Sequence, residues 1–284
     1  MKRAAMIIAV LGMAVGSFGQ STDKPASQAA PAGQGPTAAV PVGKRPPQAK
    51  TQPEFDAYKV VVALTDPAAQ EKAADDFATK FPDSELRVLI YKAVMHSYQQ
   101  VNNADKMMDM AHKVLTIDAD DPEALLGVAQ VLAERTRDTD LDRDQRLAEA
   151  RKDAERALVT VDTDIPAGGQ PQDKLDAYKG FLRSEAYAIL GTISFNAKTW
   201  ADAERDLRKS IEAFPQQPDP IAVFRLAVAL DMQAKYPDAM KYVNQAVDLT
   251  KEDTNAGKAA RAEKDRLTKL TGGAAPAQTP APPK

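Results

Sequence analysis

Between residues 53 and 271 apolar side chains recur every three or four positions, in runs of about 12 to 15 residues broken by turn signals. The stretch WADAERDLRKSIEAFPQQP, residues 200 to 218, is one such run: Trp200, Ala203 and Leu207 fall on one face, and Phe214 with Pro215 ends it. Val, Ile and Thr do not gather in alternating runs, so the pattern predicts helices nearly throughout and gives no reason to expect a strand. The helices come in pairs whose ends are marked by FPDS at 81, IDADDP at 117, FPQQP at 214 and DLTKED at 248.

Set against itself, the chain repeats. Ala73 with Phe77 falls 34 residues before Met107 with Ala111, and Ala203 with Leu207 falls 36 before Ala239 with Val243. The small residue recurs where two antiparallel helices must cross closely. A large side chain there would bury more of its own surface but would hold the helices apart.

These units resemble the tetratricopeptide repeat. Residues 184–217 carry the resemblance most fully, with Tyr187, Leu190, Gly191, Trp200, Ala203, Leu207 and Pro215 at the diagnostic positions. Residues 220–253 follow with Val223, Leu226, Ala227, Leu230, Tyr236, Ala239, Val243 and Ala246. Residues 88–121 supply Tyr91, Val94, Tyr98, Ala111 and Val114 but set Met95 and Met107 where small residues are expected, so that unit must pack differently. Residues 122–164 hold Leu125, Ala129 and Leu132, then Ala150, Ala154 and Ala157 late, which requires a longer internal turn. Residues 54–87 match most weakly, through Ala73, Phe77 and the FPDS end. The resemblance implies an all-α fold, a right-handed superhelical array of antiparallel helix pairs, over residues 53–271. Residues 254–270 cap it with a helix that is apolar on one face and charged on the other. An insertion at 165–183 should extend the helix carrying Tyr187 and shift the first three units against the last two.

Outside the array the composition changes. Residues 1–19 read as a secretory signal, with Lys2 and Arg3 before an apolar stretch and small residues up to a cleavage point near Gly19. Residues 20–52 and 272–284 are rich in Pro, Ala, Gln and Gly, with almost nothing to bury, and read as a disordered leader and tail. The 284-residue chain has no cysteine, so the exported protein would have no disulfide and no acylated cysteine at its start. Loss of Lys2 and Arg3 with the signal takes the formal charge from −3 to −5, which disfavours a nucleic-acid surface. The expected location is the periplasm or outside the cell, with no stable membrane insertion of the mature chain.

Candidate chemistry is sparse. The two histidines, His96 and His112, make no recognised motif and are expected to be solvated, and neither a nucleophile turn nor a phosphate loop occurs, so no enzyme activity and no cofactor are expected. The acidic stretch 138–149 places Asp138, Asp140, Asp142, Asp144 and Glu149 at the spacing of a calcium loop, which opens a second reading as a calcium-responsive helical module. Against it, Arg143 stands where that loop needs glycine. The alternative is a solvated turn leading into a helix.

The resemblance further implies that the first helices of successive units line a concave groove that takes a protein or peptide. Carried over position by position, the groove comprises Tyr58 on the first unit, Lys92, His96 and Gln99 on the second, and Leu126 and Gln130 on the third. The fourth and fifth supply Thr192, Phe195 and Asn196, then Ile221, Phe224, Arg225 and Val228. The mixture is partly apolar and rich in amides, which suits an extended peptide. The Lys and Asn pattern by which some relatives clamp a terminal carboxylate is missing, Lys92 being the one residue placed to play such a part.

Overall fold

The computed structural model describes residues 44–166 and 171–272. The expected signal, most of the expected leader and nearly all of the expected tail lie outside the described residues. The described chain is helical: α1 (Gln52–Val62), α2 (Pro67–Lys80), α3 (Leu86–Gln100), α4 (Ala104–Ile117), α5 (Pro122–Arg135), α6 (Arg143–Thr163), α7 (Gln172–Asn196), α8 (Trp200–Ala213), α9 (Pro220–Asp231), α10 (Tyr236–Leu249) and α11 (Asn255–Leu270). Among the described residues there is no strand.

Local chemistry sets the starts. Thr51 and Glu54 form a reciprocal capping box on α1. Asp66, Asp121 and Asp219 each accept a backbone N–H at the start of α2, α5 and α9, and each is followed by a proline that is already bent for the first turn and has no N–H to lose.

The turns inside units two, four and five are built alike. Asn102, Lys198 and Ala234 take φ near +57 to +59°, each two residues before the second helix begins. The next residue's N–H then reaches back five positions: Asn103 to Tyr98 at 2.9 Å, Thr199 to Ser194 at 3.0 Å, and Lys235 to Leu230 at 2.9 Å. This closes the first helix with its orphan carbonyls satisfied. Unit three departs from the pattern, with a seven-residue connection between Arg135 and Arg143 replacing the short turn, as the late alanines require.

Each helix packs on the next, and first helices also meet across units, α5 on α7, α7 on α9 and α9 on α11. At the crossings, Ala203, Ala239, Ala111 and Ala154 have no exposed surface. A Cβ built on Gly191 would stand 2.6 Å from the Leu207 side chain, so only glycine lets α7 and α8 approach this closely. In unit two the bulky Met95 is buried against the next unit's Gly127, whose Cβ would come 3.4 Å from the Met95 sulfur. The departure from small residues is absorbed by the neighbour.

The insertion lengthens the first helix of unit four. Helix α7 runs 25 residues, and its early turns bury Leu175, Tyr178, Phe181 and Leu182 against the first three units. Residues 44–51, assigned in sequence to the leader, do not run free. Lys44 pairs with Asp118 and Asp164 at the ends of α4 and α6, Arg45 pairs with Glu85, and Lys50 donates to the Asp83 carbonyl at 2.8 Å. The segment straps the turns between units one, two and three.

Candidate partner-binding groove

The groove positions lie on α1, α3, α5, α7 and α9, but they are not equally open. Ile221 and Asn196 are exposed, and Tyr58, His96, Gln99, Gln130, Phe195, Phe224, Arg225 and Val228 are partly buried. Lys92, Leu126 and Thr192 are buried, which corrects their placement as surface residues. Thr192 turns its hydroxyl to the Ala188 carbonyl at 2.8 Å, and Leu126 joins the core.

Lys92 is the centre of a charged cluster inside the array. Its ammonium meets Asp121 at 3.0 Å and also pairs with Glu123, both at the start of α5. The His96 Nε2 lies 2.9 Å from the other Glu123 oxygen, and the buried Tyr178 of α7 stands close enough to feel the Glu123 charge. His96 is therefore held by a partner, contrary to the expectation of a solvated ring, whereas His112 is exposed.

Burial works against the Lys92 charge, but the carboxylates of Asp121 and Glu123 outweigh it and hold the ammonium above the usual lysine value. Burial would push Glu123 up, yet Lys92 and then His96 outweigh it and hold that carboxyl well below its usual range. For Asp121 burial wins over Lys92 and the carboxyl sits high. Burial, then Glu123, pushes the Tyr178 phenol well above its ordinary value. One ammonium faces two carboxylates, so Lys92 is structural and is not free to clamp a partner's terminus. Sequence reading missed Asp121 and Glu123 because Asp-Pro-Glu before an apolar run is also an ordinary helix start. It missed Tyr178 because that residue lies in the insertion, outside the repeat register.

Towards the other end the groove changes character. The ring of Phe195 meets Trp200 edge to face at 5.5 Å, and Gln130 bonds Glu134 along α5 at 3.2 Å. Arg225 reaches from α9 to α7 and donates to the Thr192 hydroxyl at 2.6 Å. Burial lowers the Arg225 pKa, with Glu134 and Asp219 opposing from a distance.

The acidic stretch does not assemble a site. Helix α6 begins at Arg143, so Asp144 and Glu149 ride on a helix while Asp138, Asp140 and Asp142 lie in the preceding turn. Arg143 pairs with Asp138 at 3.1 Å and with Asp144 at 2.8 Å, and Asp140 accepts from the Arg137 N–H at 2.9 Å. Among the described residues no three His, Cys, Asp or Glu side chains gather as they would to hold a metal ion. Among them also, no helix is long and apolar enough to cross a membrane.

Paired helices with small residues at each crossing, stacked so that first helices meet first helices, define a tetratricopeptide-type α-solenoid. The sequence matches no protein-family profile and no curated protein. Among the solved structures of similar fold are two that cover most of this chain. One is PilW, described as a widely conserved type IV pilus biogenesis factor, at 20% identity and a TM-score of 0.50 over 79% of this chain and 88% of that one. The other is PilF of Pseudomonas aeruginosa, at 16% identity and a TM-score of 0.51 over 78% of this chain and 96% of that one.

Proposed function

We propose that this chain is an exported, non-enzymatic scaffold that holds a protein or peptide partner in the concave groove and serves the assembly of a cell-envelope structure, on the pattern of type IV pilus biogenesis. The observation that carries the reading is the C-terminal half of the groove. There Ile221, Phe224 and Val228 of α9 and Phe195 of α7 present apolar surface beside the exposed Asn196, whose amide can bond a peptide backbone. The signal-like residues 1–19 support export, and the description of PilW supports the process.

A photo-crosslinker placed at the exposed Asn196 in living cells should capture one envelope species, and the same group at exposed Lys209 on α8 should not. Ile221→Glu with Val228→Glu should abolish that capture while leaving the melting temperature within a few degrees of wild type. Equal capture from both faces would overturn the groove reading. N-terminal sequencing should find the mature chain starting at Gln20, and a cytoplasmic chain that keeps Met1 would overturn export.

A further inference from the structure

The charges of this solenoid are largely answered from within. Lys92 has two carboxylates, Lys235 pairs with Glu204 at 2.6 Å, Arg208 with Glu204 and Asp238 at 3.0 Å each, and Arg266 with Asp231 and Glu263. Arg225 differs. It is partly buried on the groove side of α9, and among the described residues it forms no ion pair; its one hydrogen bond is to the neutral hydroxyl of Thr192. A guanidinium has five N–H groups arranged as a fork that fits a carboxylate, and one bond leaves most of them unused.

We propose that Arg225 is the anchor for an acidic side chain within a partner segment that passes along the groove, so that the partner's recognition sequence carries an Asp or Glu flanked by apolar residues. The proposal rests on the groove reading above and adds the chemistry of its ligand.

Three features of the site choose an internal acidic side chain over a chain terminus. On α9, Ile221 lies one turn before Arg225 and Val228 one turn after it on the same face, so apolar surface continues to either side of the cation. On α7, Phe195 and Asn196 stand one turn beyond Thr192 and extend that surface across the groove. Finally, the second cation that sequence placed in the groove, Lys92, is consumed by Asp121 and Glu123, which leaves a single charge suited to a single carboxylate. Glu134 and Asp219 lie near enough to act on Arg225 electrostatically but do not bond it. They set a local negative background, so a ligand carboxylate is favoured only where it reaches the fork itself.

The partial burial makes the contact worth having. An ion pair at an exposed position is screened and worth little, whereas one that excludes water around a pre-oriented arginine is a charge-assisted, bidentate contact. Such a contact gives about a tenfold gain in affinity or more over a neutral isostere.

The test uses an array of terminally blocked ten-residue peptides of Leu, Ile, Val and Phe with one central Glu, each matched by a Gln twin and by a twin with the acid only at a free C-terminus. Binding to the full mature protein is read by fluorescence polarisation. Wild type should bind Glu members about tenfold or more tighter than their Gln and terminal-acid twins. Arg225→Met should lose that preference while it still binds the Gln members as wild type does, and Arg225→Lys should recover part of it. Peptides that bind wild type with no preference for Glu, but are lost in the Ile221→Glu, Val228→Glu variant, would sink the Arg225 proposal and leave the groove standing. A preference that survives in Arg225→Met, or one for the terminal acid, would also overturn it. An array that shows no binding would overturn both readings.

Discussion

At the residue scale, the most consequential finding is that Lys92 is spent inside the molecule. The position reads as groove in the repeat register, and it does face the next unit's first helix, but Asp121 and Glu123 arrive at the same point. Removal of the ammonium leaves buried Asp121 without a cation and Glu123 with His96 alone, and breaking such a buried pair costs about 3 to 5 kcal/mol. Lys92→Met is therefore expected to destabilise by about that amount at neutral pH in urea denaturation. The pH dependence has a definite sign. In wild type, Glu123 sits below its unfolded value, so its stabilisation is present above about pH 4.3 and is lost as pH falls. The raised Lys92 contributes stability that is present below about pH 10.4 and is lost as pH rises through its higher folded value. In the variant Glu123 keeps only His96, while Asp121, which burial already holds high, loses its cation, so protonation of Asp121 on acidification relieves more strain than it does in the wild type. The deficit of Lys92→Met should shrink from pH 7.5 to pH 4.5. A deficit that is constant over that range would show that the charges, as opposed to the packing of the lysine stem, are not the cause.

At the element scale, helix existence and pairing were legible because the apolar stripe and the small crossing residues carry both. Ala203, Ala239 and Gly191 fall where the repeat places them, and all are buried. The boundaries that escaped the sequence are those set by contacts between distant residues. Nothing in the Pro-rich run before Thr51 announces that Lys44 will find Asp118 and Asp164, because those carboxylates are brought together only once units two and three have stacked. The shared turn was also hidden, since Asn102, Lys198 and Ala234 have no side-chain chemistry in common; backbone conformation is what repeats. A left-handed residue with a Cβ costs about 1 to 2 kcal/mol, and glycine avoids that cost while losing some of the gain to its freer unfolded chain. Ala234→Gly should accordingly stabilise by about 0.5 to 1 kcal/mol. Ala234→Val, β-branched at the same φ, should destabilise by about 1 kcal/mol or more. Calorimetry on the two variants settles this by sign: if both move the melting temperature the same way, the turn geometry is not what limits that junction.

At the scale of the whole molecule, the apolar interior is divided. One body of buried side chains runs from α1 through α6 and takes in α7 as far as Ile193, together with Phe214. A second, smaller set joins Ala203 and Leu207 of α8 to α9, α10 and the Leu267 of α11, with Trp200 packed against it. Helix α7 belongs to both, because the insertion gives it enough length to bury its early turns in the first body while Ala188 and Phe195 rest on the second. In a linear array stability is a sum of unit and interface terms, so the end with the smaller interior should open first. The chain's single tryptophan, Trp200, lies in that end and reports on it alone, while far-UV circular dichroism reports on every helix. In a urea titration the Trp200 fluorescence transition should come at lower denaturant than the main loss of helix, and a two-state fit should fail. Leu230 is fully buried in the smaller set, so Leu230→Ala, at a cost of about 2 to 5 kcal/mol, should move the Trp200 transition and leave the later helical transition where it was. If both probes trace one transition, and the variant shifts them together, then α7 couples the two bodies too strongly for either to unfold alone. The proposed groove, whose open half spans α7 and α9, would then be a rigid surface. With separate transitions, its α9 wall can yield while α7 stays anchored in the first body.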